Sequence, residues 1–200
     1  GGNIELRLAE IVCDPLLAIR IFAELCDAVA AAHAATPPIV HRDLQPENVL
    51  LDALLSPTVA DFGICHVKDD VDTRHTEARE VMGPRWYCAP ELRNGRAKPE
   101  QITARCDVYS LGKLLHVMLG GHLFDREEHR HPEYDIAIGN ESLEHVNRLL
   151  DRMIVYEPSG RIEDAGKVAA AARQVAALVA GDYRGVRPDG GQRCLFCGEG

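Results

Sequence analysis

A mainly α-helical domain, with short β-hairpin strands carrying a polar loop, is the fold class this sequence predicts. Apolar residues recur at helical stride in four separate windows. Short β-type pieces surround the polar stretch HRDLQPEN at 41–48. With 200 residues, 46% apolar and 26% charged, the chain is long enough for one domain of ordinary size with a sizeable core.

In chain order, Asp14 followed by Pro15 is a helix start, a capping acid before proline at the first helical position. Leu17, Ile21, Leu25, Ala28 and Ala32 continue that helix at its stride, and Thr36-Pro37-Pro38 stops it. The pieces 39–40, 49–51 and 58–60 read as short strands between loops rich in Asp, Pro and Asn. A loop with a strand at each end is a rigid mount for polar side chains. From 61 to about 104 the pattern is irregular, and so long an irregular stretch in a compact domain is functional or disordered. Leu111, Leu114, Leu115 and Met118 form the next stripe, ended by Gly120-Gly121. Leu143, Val146, Leu150 and Met153 form another. Val168, Ala172, Val175 and Val179 form the last, in an alanine-rich helix expected to stop at Gly181. A polar linker follows from about 182, and the chain has no internal repeat.

Bulk properties narrow the function. The net charge of −9 argues against nucleic acid as the main partner, since phosphate binding needs an excess of Lys and Arg. An acidic surface suits basic peptide segments, although most surface acid is simply solvating. The most apolar stretch, VYSLGKLLHVMLGG at 108–121, is broken by Lys113 and His116 and is too short for a membrane span. The opening GGNIELRLAE lacks the marks of a signal peptide and does not begin with Met, so a piece of a longer protein is expected. Of seven cysteines, Cys13, Cys26, Cys65, Cys88 and Cys106 read as small buried hydrophobes in a reducing, cytoplasmic compartment.

The chemistry lies in three motifs. His41-Arg42-Asp43-Leu44 with Asn48 matches H-R-D-L-x-x-x-N; Asp61-Phe62-Gly63 and Ala89-Pro90-Glu91 follow in order. A lone D-F-G means little, but the ordered set is specific. On these residues the chain resembles the C-terminal lobe of a eukaryotic-type Ser/Thr protein kinase, over residues 1–181, with 182–200 as a separate tail. The resemblance implies transfer of the γ-phosphoryl of Mg-ATP to a protein Ser or Thr hydroxyl, a reaction of positioning and charge neutralisation. Asp43 would orient the acceptor hydroxyl and receive its proton. Asn48 and Asp61 would hold Mg²⁺ through oxygen ligands. Asn3 matches the residue near the ribose and Leu50 the residue under the adenine. Glu47 would face basic residues of the substrate. The bland alternatives are Asp and Asn capping turns, a core Leu and a solvated Glu.

The same resemblance implies supporting roles. Asp107 matches a buried acid that accepts backbone N–H bonds from the 41–48 loop; by sequence alone it also reads as the N-cap of the helix it opens, and the two roles are compatible. Arg161 matches the partner of Glu91, a bidentate pair that fixes the base of the loop. His41 and Phe62 match stacked hydrophobic positions. Arg42 implies control by an anion on the activation segment. Thr73 and Thr76 are the hydroxyl candidates there, and Glu80 a permanent carboxylate.

Two positions depart from the family pattern. Gln45 stands where lysine usually reaches the transferring phosphoryl group, and Pro84 replaces a threonine whose hydroxyl bonds the catalytic Asp. Losing one preorganised donor costs on the order of 3 kcal/mol, or 10²–10³ in rate. The expectation is therefore a slow kinase, with a pseudokinase scaffold as the alternative. No glycine-rich loop, and neither the lysine nor the glutamate of the family's N-lobe ion pair, is present in these residues, so the piece alone is expected to be inactive and to expose an apolar surface where an N-lobe sits. In the tail, Cys194-x-x-Cys197 reads as one knuckle of a zinc ribbon, supplying two of four ligands for Zn²⁺. A redox pair is the rival reading. His122, His129 and His131 are further ligand candidates by type only, and are expected at the surface.

Overall fold

The computed structural model describes residues 2–62, 86–93 and 99–185. The mainly α expectation holds. A short strand β1 (Gly2–Asn3) leads into α1 (Ile4–Val12), whose first turn is capped by Asn3 Oδ1 accepting from Leu6 N at 3.0 Å. Nothing in the apolar stride announced α1. Helix α2 (Pro15–His33) starts at the Asp14–Pro15 signal, with Asp14 Oδ1 accepting from Leu17 N at 3.0 Å. Strands β2 (Val49–Leu51) and β3 (Pro57–Val59) join β1 in an antiparallel sheet of order β1-β2-β3. Asn3 pairs with Leu50, and Leu50 with Thr58.

The expected strand at 39–40 is absent. The Ile39 amide is spent on the Ala32 carbonyl at 3.0 Å, closing the end of α2, and its side chain is exposed. The polar loop therefore hangs between a helix end and β2, with a 3-10 turn (Pro46–Asn48) at its close.

The core is built on α3 (Ala104–Gly120), which is buried from Cys106 to Gly120 on every face. Gly121, at φ +72°, caps it by donating its N–H to Val117 O. Gly112 lets the turn at 153–154 approach, since a Cβ there would lie 2.8 Å from Ile154 Cγ1. A 3-10 turn (Glu141–Leu143) and α4 (Glu144–Leu150) bury the third stripe, Leu143, Val146, Leu150 and Met153. The last helix, α5 (Ala165–Gly185), packs along α2 and buries Val168, Ala172 and Val179. It passes the expected stop at Gly181, where no neighbour lies within 4 Å of a Cβ, so the glycine meets no tertiary obstacle to helix. No described helix is long and apolar enough to cross a membrane.

The two polar residues that interrupt the apolar stretch of α3 are fully buried. Lys113 Nζ donates to the Phe124 and Arg126 carbonyls and lies 3.6 Å from the centre of the Phe124 ring. His116 Nε2 donates to the Tyr134 carbonyl at 2.8 Å. Burial, joined by the charge of His122 and His129, pushes the His116 imidazole down to about 4 from 6.5. Burial, joined by the charge of Arg93, pushes the Lys113 ammonium down to about 7 from 10.5.

In both windows the unfolded chain carries more protons, so stability rises with pH across each. His116 is expected to cost about 3 kcal/mol as pH falls from 6.5 to 4. Denaturant titrations over pH should show His116→Phe flattening this acid limb and Lys113→Met flattening the rise above pH 7. Unchanged slopes in both variants would refute the assignment.

Among the described cysteines, Cys26 and Cys106 are buried, but Cys13 is exposed at the end of α1 and Cys88 is half-buried. The expectation that all are core residues fails there, because a helix cap and a surface turn carry them.

Candidate functional site

The loop at 41–48 is held from beneath by Asp107 in the first turn of α3. Its Oδ2 accepts from His41 N and its Oδ1 from Arg42 N, both at 2.8 Å. Asp107 is not the N-cap of α3; Thr103 occupies that position. A third donor went unnoticed in the sequence: His33, at the end of α2, gives Nε2–H to Asp107 Oδ2 at 2.9 Å. The Ala165 amide, donating to His33 Nδ1 at 3.4 Å, fixes that tautomer. One buried carboxylate thus ties α2, α3 and the loop together, and α5 through His33. No local signal marks His33, which lies 74 residues from Asp107.

His41 is buried, its Nε2–H on the Ala60 carbonyl at 2.8 Å and its Nδ1 accepting from Asp43 N at 3.3 Å. Its ring lies 4.7 Å from that of Phe62. Arg42 and Asp61 both adopt left-handed backbone, at φ 71° and 59°. Non-glycine residues there store strain of order 1–3 kcal/mol, which surrounding structure must impose. The Arg42 Nε is buried with no hydrogen-bond partner among the described residues.

Asp43 is oriented by amides. Asn48 Nδ2 donates to the Asp43 carbonyl at 2.8 Å and to its Oδ2 at 3.1 Å; Gln45 Nε2 reaches the same Oδ2 at 3.4 Å. Because the amide nitrogen of Asn48 is committed to Asp43, its Oδ1 remains as a ligand oxygen. The Ala60 N–H donates to Asn48 O at 2.9 Å, which brings the exposed Asp61 beside the loop. Asn3 and Leu50 are cross-strand partners, Leu50 being 45% exposed and Asn3 spending its Oδ1 on the α1 cap.

Glu91 and Arg161 form a bidentate pair, Nη1–Oε1 at 2.7 Å and Nη2–Oε2 at 2.8 Å. The remaining guanidinium protons go to the Val155, Arg105 and Tyr156 carbonyls, so all five donors are satisfied. Burial pushes the Glu91 carboxyl up, but the Arg161 hydrogen bonds and charge outweigh it and hold it below its usual range.

Thr73, Thr76, Glu80, Pro84, Cys194 and Cys197 lie outside the described residues. Among the described residues no group of three His, Cys, Asp or Glu side chains is arranged to hold a metal ion. His129 departs from its expected surface place: it is buried, with Nε2 on Asp151 Oδ1 at 2.9 Å. His122 Nδ1 faces the Gly120 carbonyl, and His131 is exposed.

The family model described as protein kinase domain matches residues 5–172. The chain belongs to the protein kinase family. CBL-interacting protein kinase 4 of Oryza sativa subsp. japonica is 36% identical over 168 residues, covering 76% of this chain and 35% of that protein. Serine/threonine-protein kinase PknB of Mycobacterium tuberculosis is 36% identical over 107 residues, 54% of this chain and 16% of that one. The chain thus spans about a third of the rice kinase and a sixth of PknB. The crystal structure of the Mycobacterium tuberculosis PknI kinase domain superposes with a TM-score of 0.62 at 22% identity, over 88% of this chain and 62% of that one. This last likeness speaks for the kinase fold.

Proposed function

We propose that this member of the kinase family is the C-terminal lobe of a Ser/Thr protein kinase that moves the γ-phosphoryl of Mg-ATP to protein hydroxyls. The observation that carries the reading is Asp43, held by Asn48 and Gln45 on a loop anchored to buried Asp107. Asp43 orients the acceptor hydroxyl and takes its proton. Asn48 Oδ1 and the Asp61 carboxylate, hard oxygen donors, would hold Mg²⁺, which when bound neutralises phosphate charge. Leu50, with Asn3 opposite, offers an exposed apolar seat for the adenine end of ATP. The buried, unpartnered Nε of Arg42 suits an anion from the activation segment, either Glu80 or a phosphorylated Thr73 or Thr76. The exposed Glu47 suits a basic substrate.

In the whole protein an N-lobe supplies the glycine-rich loop and the Lys–Glu pair, and it covers the exposed Leu6, Leu50 and Phe62. The chain alone is therefore expected not to turn over. The buried Cys26 and Cys106, small apolar core residues, suit a reducing compartment, and we place the protein in the cytoplasm. The Cys194/Cys197 pair remains our candidate for half of a zinc knuckle.

Gln45 spends a neutral amide on Asp43 where the family pattern has a lysine, which favours slow turnover and keeps a non-catalytic scaffold as the second reading. Phosphorylation of a generic basic protein by the full-length protein decides between them. Asp43→Asn is expected to lower kcat about a hundredfold or more, the contribution of a positioned base. Phosphorylation that survives the substitution unchanged would sink the role of Asp43. A wild-type protein with no turnover at all would establish the scaffold.

A further inference from the structure

We infer that Arg93 is a positioning residue for the acceptor protein, clamping the turn at 86–90 through Tyr109. This rests on the kinase reading above. Two arginines hold that turn. Arg161 takes its end at Glu91. Arg93 takes its middle, Nε donating to the Cys88 carbonyl at 3.1 Å and Nη2 to the Tyr109 hydroxyl at 2.7 Å. Both guanidinium groups flank one ring, with Cζ 5.7 Å (Arg93) and 5.0 Å (Arg161) from the Tyr109 centroid.

Tyr109 is itself a fixed post. It is fully buried, and its hydroxyl is within reach of Glu127 Oε1 at 2.9 Å and the Arg126 carbonyl at 3.1 Å. The Arg126 carbonyl also accepts from Lys113. The positive Arg93 thus meets the negative Glu127 through one phenol, a charge-assisted chain from the turn to the loop after α3.

The turn it holds borders the reaction site. Tyr87 lies close enough to Glu47, four residues beyond Asp43, and to Glu5 of α1 that, after burial, their charges are what push its phenol up. An acceptor segment delivered to Asp43 must pass this turn, so the exact path of the Cys88 carbonyl sets where it docks. Among the described residues the hydrogen bonds of Arg93 run to Cys88 and Tyr109 and not to Asp43, Asn3 or Leu50, so its loss should act on the acceptor alone.

Steady-state kinetics of the full-length protein test this. Arg93→Ala is expected to raise KM for a basic acceptor peptide about tenfold, the worth of one charge-assisted bond, with KM for ATP and kcat within about twofold. Tyr109→Phe should shift the same constant, and the double variant should be no worse than the stronger single one. Arg93→Lys, which can reach either partner but not both, should recover part of the loss. Unchanged acceptor KM, an equal rise in ATP KM, or additive effects would overturn the inference. If the wild type proves inactive, the kinase reading fails separately. Hydrogen exchange then reports the clamp: the Leu92 amide, bonded to the Ala89 carbonyl at 2.9 Å, should exchange about tenfold faster in Arg93→Ala. Equal exchange would show that no clamp exists.

Discussion

Arg161→Met is expected to lower the stability of the chain by about 3–5 kcal/mol, the cost of removing one partner from a buried ion pair. Its side chain is 0% exposed, and Glu91 on the other side is only 9% exposed. Among the described residues, the substitution leaves that carboxylate with the Cys106 thiol at 3.2 Å as its remaining side-chain donor, and strands three backbone carbonyls. Arg161→Lys should recover little, since a point charge cannot serve five acceptor directions. The pH dependence carries a sign. The folded Glu91 carboxyl lies below its unfolded value, so its contribution is present above the usual carboxylate range and is lost as pH falls through the folded value. Denaturant midpoints of the variant should therefore lack part of the acid limb seen in the wild type. A loss under about 1 kcal/mol would show the pair to be marginal.

Asp107→Ala is expected to cost about 4 kcal/mol and to impair turnover beyond the loss of folded protein. It orphans the His41 and Arg42 amides and the His33 imidazole, three donors of which each buried one costs about 1–3 kcal/mol unsatisfied. Arg42 holds a left-handed backbone that this carboxylate imposes, so the strain at φ 71° would relax and carry Asp43 with it. Asp107→Asn keeps one acceptor oxygen and sets an N–H₂ against a donor, so it should fall between wild type and alanine. Stability from denaturation and kcat from the full-length protein, both on the same variants, separate the two effects. A kcat that follows the folded fraction would mean that Asp107 supports the fold without orienting Asp43.

How far the sequence reached depends on the range of each interaction. The start of α2, the stripe of α3 and the motif residues Asp43, Asn48, Asp61 and Glu91 were legible because capping, stride and motif spacing act within a few residues. The strand expected at 39–40 failed because the Ile39 amide closes α2, a choice made by the helix end and not by β propensity. Helix α1 was missed because its cap, Asn3, also serves as a strand residue. Lys113 and His116 look like surface punctuation in one dimension, yet both are fully buried, because carbonyls from the 124–134 loop meet them.

By itself the sequence determined the helical class, the loop that carries Asp43 and the family to which the chain belongs. Only the tertiary structure decided which groups hold that loop: His33 on Asp107 across 74 residues, Arg161 on Glu91 across 70, and the two arginines that share Tyr109. The physical reason is that a buried polar group must find partners wherever packing brings them, and chain separation puts no local mark on either partner.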